Sequence, residues 1–397
     1  MLIKELKFYI EAGEPATRQA TNRDRGTMMK VPPGLSGLFT HAEGVRGRAP
    51  DDDYFEYPPE PEAPTYNATL RIATDGDFDA YAPFRTSFSR SELEFECKDF
   101  KARIGPMIVG IDVFDREHIW QKLWYAQRFF YTGRQPIDLI DRMLWDLASR
   151  HACLPIYKLL GACREEIPAY RNIGGNTIDD LVADGLRSKE EGYIGCKDHS
   201  YRGVKGNSEM ARELRAALGD DYLLMHDPVE SYTCLEAIKI GRVLEECNYE
   251  WIEEPLQDYD LMGLKKLSDA LDLPVQALEW IGAVGGEPFN ASPFLALRAV
   301  DIVRQRGHGI TGSMKLSQMV EGFGLQVHGG DPHVALAVGH DPLHETVGGL
   351  KPRPPEEALD CLGTLVVEDG AMSIAWAPRR PEEPDWDVVE RGALAVL

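Results

Sequence analysis

Three acids hold the chemistry that this sequence can most readily offer. Asp227 ends the run YLLMHD, Glu253 sits in YEWIEE, and Glu279 ends PVQALE. Each run is short and apolar, and the positions 227, 253 and 279 are evenly spaced at 26 residues. Helix-like stretches separate the three, so one strand-helix unit repeats at that period. Strand ends of a parallel sheet share one edge, and three carboxylates at successive ends therefore converge. Such an oxygen cluster suits a hard divalent cation such as Mg²⁺. A lone acid at a strand end carries no such meaning; three in register do.

The elements that must position these acids follow from the pattern of the chain. From Ile167 onward, short strands alternate with amphipathic helices. The strands read as IPAYRN, YIGCKDH, YLLMHDP, YEWIEEP, PVQALEW, VDIVRQR, LQVHGG and PLHETV. Helices lie between them, among them DDLVADGLRSKEEG, SEMARELRAALGD, CLEAIKIGRVLEEC, LMGLKKLSDALD and SMKLSQMVEGFG, several ending in Gly. This alternation predicts parallel βαβ units. Eight of them predict an α/β fold of the (β/α)₈ TIM-barrel type, with reactive groups at the C-terminal ends of the strands.

Before the barrel, residues 1–165 read as an α+β unit. A first strand, a long loop from about Arg23 to Pro64 and a second strand come first, and the loop is expected to act as a lid or a tether. His41, Arg46 and Arg48 in this loop are candidates for touching an anion, with solvated loop charge as the equal alternative. TLRIATDGDFDAYAP reads as a hairpin turning at Asp75-Gly76. Helical patterns follow, DREHIWQKLWYAQRFF and PIDLIDRMLWDLASRHA, the second opened by Pro136. Ile137, Ile140, Leu144 and Leu147 fall at helical spacing and are assigned to the core. Residues 166–347 are the barrel, and 348–397 a C-terminal segment that returns to the first unit.

Composition narrows the partners. The 397 residues, 43% hydrophobic, describe a soluble globular chain. No window approaches the ~18 uninterrupted apolar residues of a membrane span. The first residues lack the apolar core and cleavage site of a signal peptide. The seven cysteines are scattered and form no C-x-x-C pair, which fits a reducing cytoplasm. A formal charge of −22, from 65 acids against 43 bases, argues against nucleic-acid or anionic-membrane binding, each of which needs a basic footprint.

The remaining strand ends add proton carriers. The second offers Lys197 and His199, which share a face at period two. The seventh offers His328 and the eighth Glu345. A cation flanked by bases on opposite sides suits removal of a proton next to a carboxylate, because the cation stabilises the enediolate dianion that forms.

These residues resemble the enolase superfamily, in its mandelate racemase-like branch. The resemblance rests on LLMHD at Asp227, WIEEPL at Glu253, ALEW at Glu279, GITGSMK at Gly309–Lys315, GLQVHG at His328 and HETV at Glu345. MLWDLASRHACLPIYKLLGACREEIPAY in Met143–Tyr170 matches the cap region. The resemblance implies a capping domain over the barrel, a Mg²⁺ ion held by Asp227, Glu253 and Glu279, sugar-acid or hydroxy-acid substrates, and a homo-oligomer. It also implies that His328 is a general acid/base and that Glu345 hydrogen-bonds the substrate carboxylate. Of the two acids in WIEEP it selects Glu253, with Glu254 expected to point the other way.

Two positions depart from the branch. Where it carries Lys-x-Lys, this chain reads Lys197-Asp198-His199, which makes His199 the facing acid or base and Lys197 the neutraliser of carboxylate charge. At the sixth strand end, Arg304 and Arg306 stand where an acid that holds His328 is expected, so His328 is expected to lack a carboxylate partner. The leading expectation is a Mg²⁺-dependent sugar-acid dehydratase. A racemase, epimerase or cycloisomerase would share its first half-reaction, and a non-catalytic binding protein on the same fold is the rival from another class. Which of Lys197, His199 and His328 moves the protons stays open at this level. His226, His308, His333, His340 and His344 are assigned structural roles.

Overall fold

The computed structural model describes residues 1–16, 62–130, 133–279, 289–306 and 308–397. Residues 17–61, which hold most of the loop expected to act as a lid or tether, with His41, Arg46 and Arg48, lie outside the described residues, as does Trp280.

The chain opens on β1 (Ile3–Ala16), which pairs antiparallel with β2 (Ala63–Thr74), and β2 pairs with β3 (Ala80–Ser87). Residues 75–79, including Asp75-Gly76, make the hairpin turn between β2 and β3. Phe8, Leu70 and Ile72 point from this sheet into a core shared with three helices, α1 (Arg90–Ile108), α2 (Arg116–Phe130) and α3 (Gln135–Ala152). Pro136 stands in the first turn of α3, where its missing N–H costs nothing. Ile137, Ile140, Leu144 and Leu147 are all in that core, as their spacing requires. Truncating one of them to alanine would cost about 2–5 kcal/mol.

A short helix, α4 (Ile156–Leu160), leads into the parallel strands. These are β4 (Glu166–Ile173), β5 (Gly195–Asp198), β6 (Leu223–His226), β7 (Trp251–Glu253), β8 (Val275–Ala277), β9 (Ile302–Arg304), β10 (Gln326–His328) and β11 (His344–Thr346). Each pairs in parallel with the next from β4 to β10, and β11 returns to pair with β4. Eight strands thus follow one another around a ring, with one seam. Among the described residues no ladder joins β10 to β11; a single backbone hydrogen bond from Val327 N to His340 O crosses there at 3.2 Å.

The intervening helices are α5 (Ile178–Glu190), α6 (Gly203–Leu218), α7 (Cys234–Glu246), α8 (Leu261–Ala270), α9 (Ser292–Leu297), α10 (Gly309–Gly322) and α11 (Pro332–Ala337). Thr177 with Asp180, and Thr233 with Glu236, close capping boxes on α5 and α7. The inner faces of these helices and the outward side chains of the strands make one large core, including Leu214, Ile240, Leu267 and Leu316. No described helix is long and apolar enough to cross a membrane.

Residues 348–397 divide between the two sheets. A hairpin of β12 (Thr364–Glu368) and β13 (Ala371–Ala375) pairs antiparallel with the start of β4. Helix α12 (Trp386–Gly392) then leads to β14 (Ala395–Val396), which adds to the edge of β1. Cap and barrel meet chiefly at α3 and α10. Asp141 accepts hydrogen bonds from Thr311 N at 2.9 Å and Thr311 Oγ1 at 2.6 Å, and Trp120 Nε1 donates to His308 O at 2.7 Å. Gly309 sits beside Asp141 with φ +69°, and a Cβ there would collide with the Asp141 carboxyl.

Candidate active site

Inward-facing side chains alternate along the barrel strands, and their chemistry splits into two layers. The lower layer is apolar: Tyr170, Met225, Trp251, Ile302 and Leu343 pack together. Two residues further along each strand, the layer becomes Asn172, Lys197, Asp227, Glu253, Arg304 and Glu345. His328, at the end of β10, lies against Tyr170 and Trp251 of the apolar layer. Period-two alternation thus places a polar ring at the C-terminal mouth of the barrel on an apolar floor.

Lys197 is at the centre of this ring and is fully buried. Its Nζ lies 2.6 Å from Glu253 Oε2 and 3.5 Å from both Asp227 Oδ2 and Glu345 Oε1. His199 stands just beyond the strand, its Nε2 3.1 Å from Asp227 Oδ2. Arg304 enters from the opposite side. Its Nε is 2.9 Å from Glu279 Oε2, and its Nη1 is 2.5 Å from Glu345 Oε2 and 3.5 Å from Glu253 Oε1. Arg306 completes the set on Glu279. Gly329, with φ +73°, lies directly over Arg304, and any Cβ there would strike the guanidinium. Asn172 Nδ2 donates to Glu345 Oε1 at 2.5 Å.

The structure therefore brings Asp227, Glu253 and Glu279 to the same mouth, joined in pairs through Lys197 and Arg304. Among the described residues no three His, Cys, Asp or Glu side chains form a ready-made metal group. Charge and donor chemistry nevertheless fit a hard divalent cation. Five buried or half-buried carboxylates, at Asp227, Glu253, Glu254, Glu279 and Glu345, face three permanent cations, at Lys197, Arg304 and Arg306. Glu253 Oε1 and Glu254 Oε1 are buried without a hydrogen-bond partner. Clustered carboxyl oxygens that lack a hydrogen-bond donor are what such a cation requires.

The titration behaviour follows from this crowding. Burial alone would raise the Asp227 carboxyl, but the charges of His199 and Lys197 bring it down to about 2. Burial opposes ionisation of Glu345 and Glu279 too, and is overcome by Lys197 and Arg304 at the first and by Arg304 and Arg306 at the second. Burial is the largest influence on His199 and would lower it, yet the Asp227 charge, the hydrogen bond to Asp227 and the Glu345 charge together overcome it and the imidazole is raised. Glu254 receives no such compensation. Burial first, then the charges of Asp227, Glu279, Asp258 and Glu253, push its carboxyl well above the usual range.

Glu254 lies just past the end of β7. Alternation would turn it away from Glu253, but β7 ends at Glu253 and Glu254 takes φ of 41°, so alternation no longer dictates its side. It is buried within electrostatic reach of Asp227 and Glu279.

A correction concerns His328. The sixth strand end indeed supplies Arg304 and no acid, but His328 has a carboxylate partner: Asp341 Oδ1 lies 3.3 Å from its Nδ1. Asp341 precedes β11 and reaches His328 across the seam, where no ladder holds the strands together. Its signal in the sequence is Asp341 itself, immediately before PLHETV and outside the strand-end pattern. Tyr170, whose Oη is 2.8 Å from His328 Nε2, was missed because it belongs to the apolar layer. Of the other histidines, His226 packs on the outer wall against Asp198 and Tyr232. Burial lowers His308, His333 and His344 to about 4, so all three stay neutral.

With this geometry in hand, comparison with known proteins is informative. The model of the family described as "Enolase C-terminal domain-like" matches residues 181–381, half of the chain. The chain belongs to this family. It is thus a member of the enolase superfamily, as the strand-end motifs implied. L-talarate/galactarate dehydratase of Salmonella typhimurium is 33% identical over 248 residues, which cover 59% of this chain and 60% of that protein. Arabinonate dehydratase of Saccharolobus solfataricus is 28% identical over 312 residues, covering 70% of this chain and 81% of the relative. The chain thus spans less than two thirds of the first relative's length and more of the second's. Among solved structures, D-glucarate dehydratase from Agrobacterium tumefaciens, complexed with magnesium, superposes with a TM-score of 0.69 over the full length of both chains at 23% identity. That likeness carries the fold: a parallel α/β barrel with an N-terminal cap.

Proposed function

We propose that this protein is a Mg²⁺-dependent sugar-acid dehydratase. The observation that carries the reading is the mouth itself: proton carriers on two walls, Lys197 with His199 and His328 opposite, flank an acid cluster that has more carboxylates than cations. The relatives' chemistry, dehydration of sugar acids, agrees with that arrangement.

Asp227, Glu253 and Glu279 would hold the ion. Bound there, it would supply positive charge opposite the substrate carboxylate and so lower the acidity barrier at the α-carbon. Lys197 neutralises Asp227, Glu253 and Glu345, which otherwise would repel an anionic substrate. Arg304 does the same for Glu253, Glu279 and Glu345. One wall removes the α-proton, leaving an enediolate, and the other delivers a proton to the β-hydroxyl as water departs. The enol so formed tautomerises to a 2-keto acid. Glu345 is held ionised by Lys197 and Arg304, so it must take up a proton before it can donate to the substrate carboxylate.

The test is α-proton exchange in D₂O with Mg²⁺, over a panel of aldonic and aldaric acids that includes galactarate, L-talarate, D-glucarate and arabinonate. Exchange with formation of a 2-keto-3-deoxy acid is the expected result. Exchange with inversion and no keto acid would make the protein an epimerase, and no exchange with any member would overturn the enzymatic reading.

A further inference from the structure

The seam between β10 and β11 holds a chain of buried polar groups that the acid cluster does not use. Asp341 is fully buried; one carboxyl oxygen faces His328 Nδ1 at 3.3 Å and the other is without a hydrogen-bond partner. On the far side of the imidazole, Nε2 lies 2.8 Å from Tyr170 Oη, and the two rings stack at 5.4 Å with 30° between their planes. Tyr170 and His328 are themselves fully buried.

The order of donors along this chain follows from elementary chemistry. A carboxylate can only accept, so Nδ1 of His328 carries its proton toward Asp341. Nε2 is then a bare lone pair, and the Tyr170 hydroxyl donates to it. Tyr170 in turn stands next to the acid cluster. It is the ladder neighbour of Glu345, and Lys197 Nζ lies 5.9 Å from its ring centroid. The His344 imidazole, lowered by burial to about 4, stays neutral and adds no charge to the chain.

We propose that Tyr170, His328 and Asp341 form a proton relay across the barrel seam, in which His328 receives the substrate's α-proton through the Tyr170 hydroxyl. Tyr170 is then a catalytic residue and Asp341 a positioning residue. The relay deepens the dehydratase reading and rests on it. In the step, the α-C–H bond breaks and its electron pair remains on the substrate as the enediolate. The released proton binds Tyr170 Oη while the hydroxyl's own proton passes to His328 Nε2, and the resulting imidazolium is held by the Asp341 carboxylate. Tyr170 is suited to carry a proton without losing its own at rest: burial, then the charge of Glu345, hold its hydroxyl well above the usual phenol range. The side holding His199 is left to serve the departing hydroxyl.

Two measurements test the relay. Long-range ¹H–¹⁵N spectra of the histidine rings in the Mg²⁺-loaded protein, with His328 assigned by its absence in His328→Gln, need no substrate. They should show His328 protonated at Nδ1 and bare at Nε2, with Asp341→Asn shifting the tautomer and Tyr170→Phe moving the Nε2 resonance. A proton resident on Nε2 in the unmutated protein, or no change in Asp341→Asn, overturns the relay. The second measurement is α-proton exchange with galactarate, L-talarate, D-glucarate and arabinonate. Tyr170→Phe should slow it by on the order of 10²–10⁴-fold, and Asp341→Asn should lower kcat far more than it raises KM. Exchange in Tyr170→Phe within threefold of the unmutated rate overturns the relay and leaves the dehydratase reading standing. Absence of exchange in the unmutated enzyme with every acid overturns both.

Discussion

Between β5 and β9 the barrel mouth is built of full charges that answer one another: Lys197 touches three carboxylates, and Arg304 touches three. At the β10–β11 seam, against the apolar layer below that ring, a phenol, an imidazole and one carboxylate are linked by hydrogen bonds. The difference teaches what each side can do. Buried ions are tolerated only when paired, so the first side is tuned to accept or release a compensating cation. A hydrogen-bonded chain needs no net charge to transmit a proton, so the second side suits transfer. The mouth thus separates charge stabilisation from proton movement.

That division can be broken most severely on the charged side. Asp227→Asn and Glu253→Gln each remove an oxygen donor that no neighbour replaces. Each should lower Mg²⁺-dependent turnover by ~10³-fold or more, the several kcal/mol that a charge opposite the enediolate contributes. Circular dichroism and thermal unfolding should show the fold intact. Full turnover in either variant would remove these acids from the cation site.

The next effect separates the two walls. His199→Asn should cost on the order of 10²–10⁴-fold in turnover if this imidazole carries a proton. With the seam intact, washing of deuterium into the substrate's α-position should survive in this variant while dehydration stops. Unchanged turnover would make His199 a bystander to Asp227.

Arg304→Met examines the charged side without chemistry. It leaves Glu253, Glu279 and Glu345 short of a buried partner, and unfolding of the metal-free protein should be easier by about 3–5 kcal/mol. Added Mg²⁺ should recover part of that loss, as binding to the folded state alone must. A loss that Mg²⁺ does not reduce would mean that Arg304 serves packing and not charge.

How much of this could be seen in the sequence depends on how local the cause is. The strand-helix alternation was legible because each unit carries its own signals: Thr177 and Thr233 begin helices, and apolar runs end at Asp227 and Glu253. Lys197 and His199 were legible for the same reason, since both lie at one strand end and both reach Asp227. Asp341 was not, because its partner is found across a missing ladder and no spacing rule spans a seam. Arg304 is legible as a basic residue where an acid is expected; its reach to three carboxylates is a property of a long side chain in a closed ring, which a one-dimensional pattern does not hold.

The smallest expected effect lies where cap and barrel meet, away from both sides of the mouth, and so serves as a control on them. Asp141 is buried between α3 and α10, and burial raises its carboxyl to about 6 despite hydrogen bonds from Thr311. The folded state therefore binds a proton more tightly than the unfolded chain, whose carboxyl titrates near 3.8. Between those values the folded state holds more protons, so this group's contribution is fully present below about pH 4 and is lost as pH rises through about 6. Asp227, brought down to about 2, contributes with the opposite sign: its stabilisation is present above about pH 4 and is lost as pH falls. The two slopes adjoin near pH 4 in any single unfolding curve, so the comparison must be made by difference. Asp141→Asn keeps an acceptor for Thr311 N and removes the titration. Subtracting its pH–stability curve from that of the unmutated protein should leave a decline of about 1–3 kcal/mol between pH 4 and 6. A difference that is flat over that window would show that Asp141 titrates in the folded protein as it does in water, and that the junction between α3 and α10 is wetter than its packing implies.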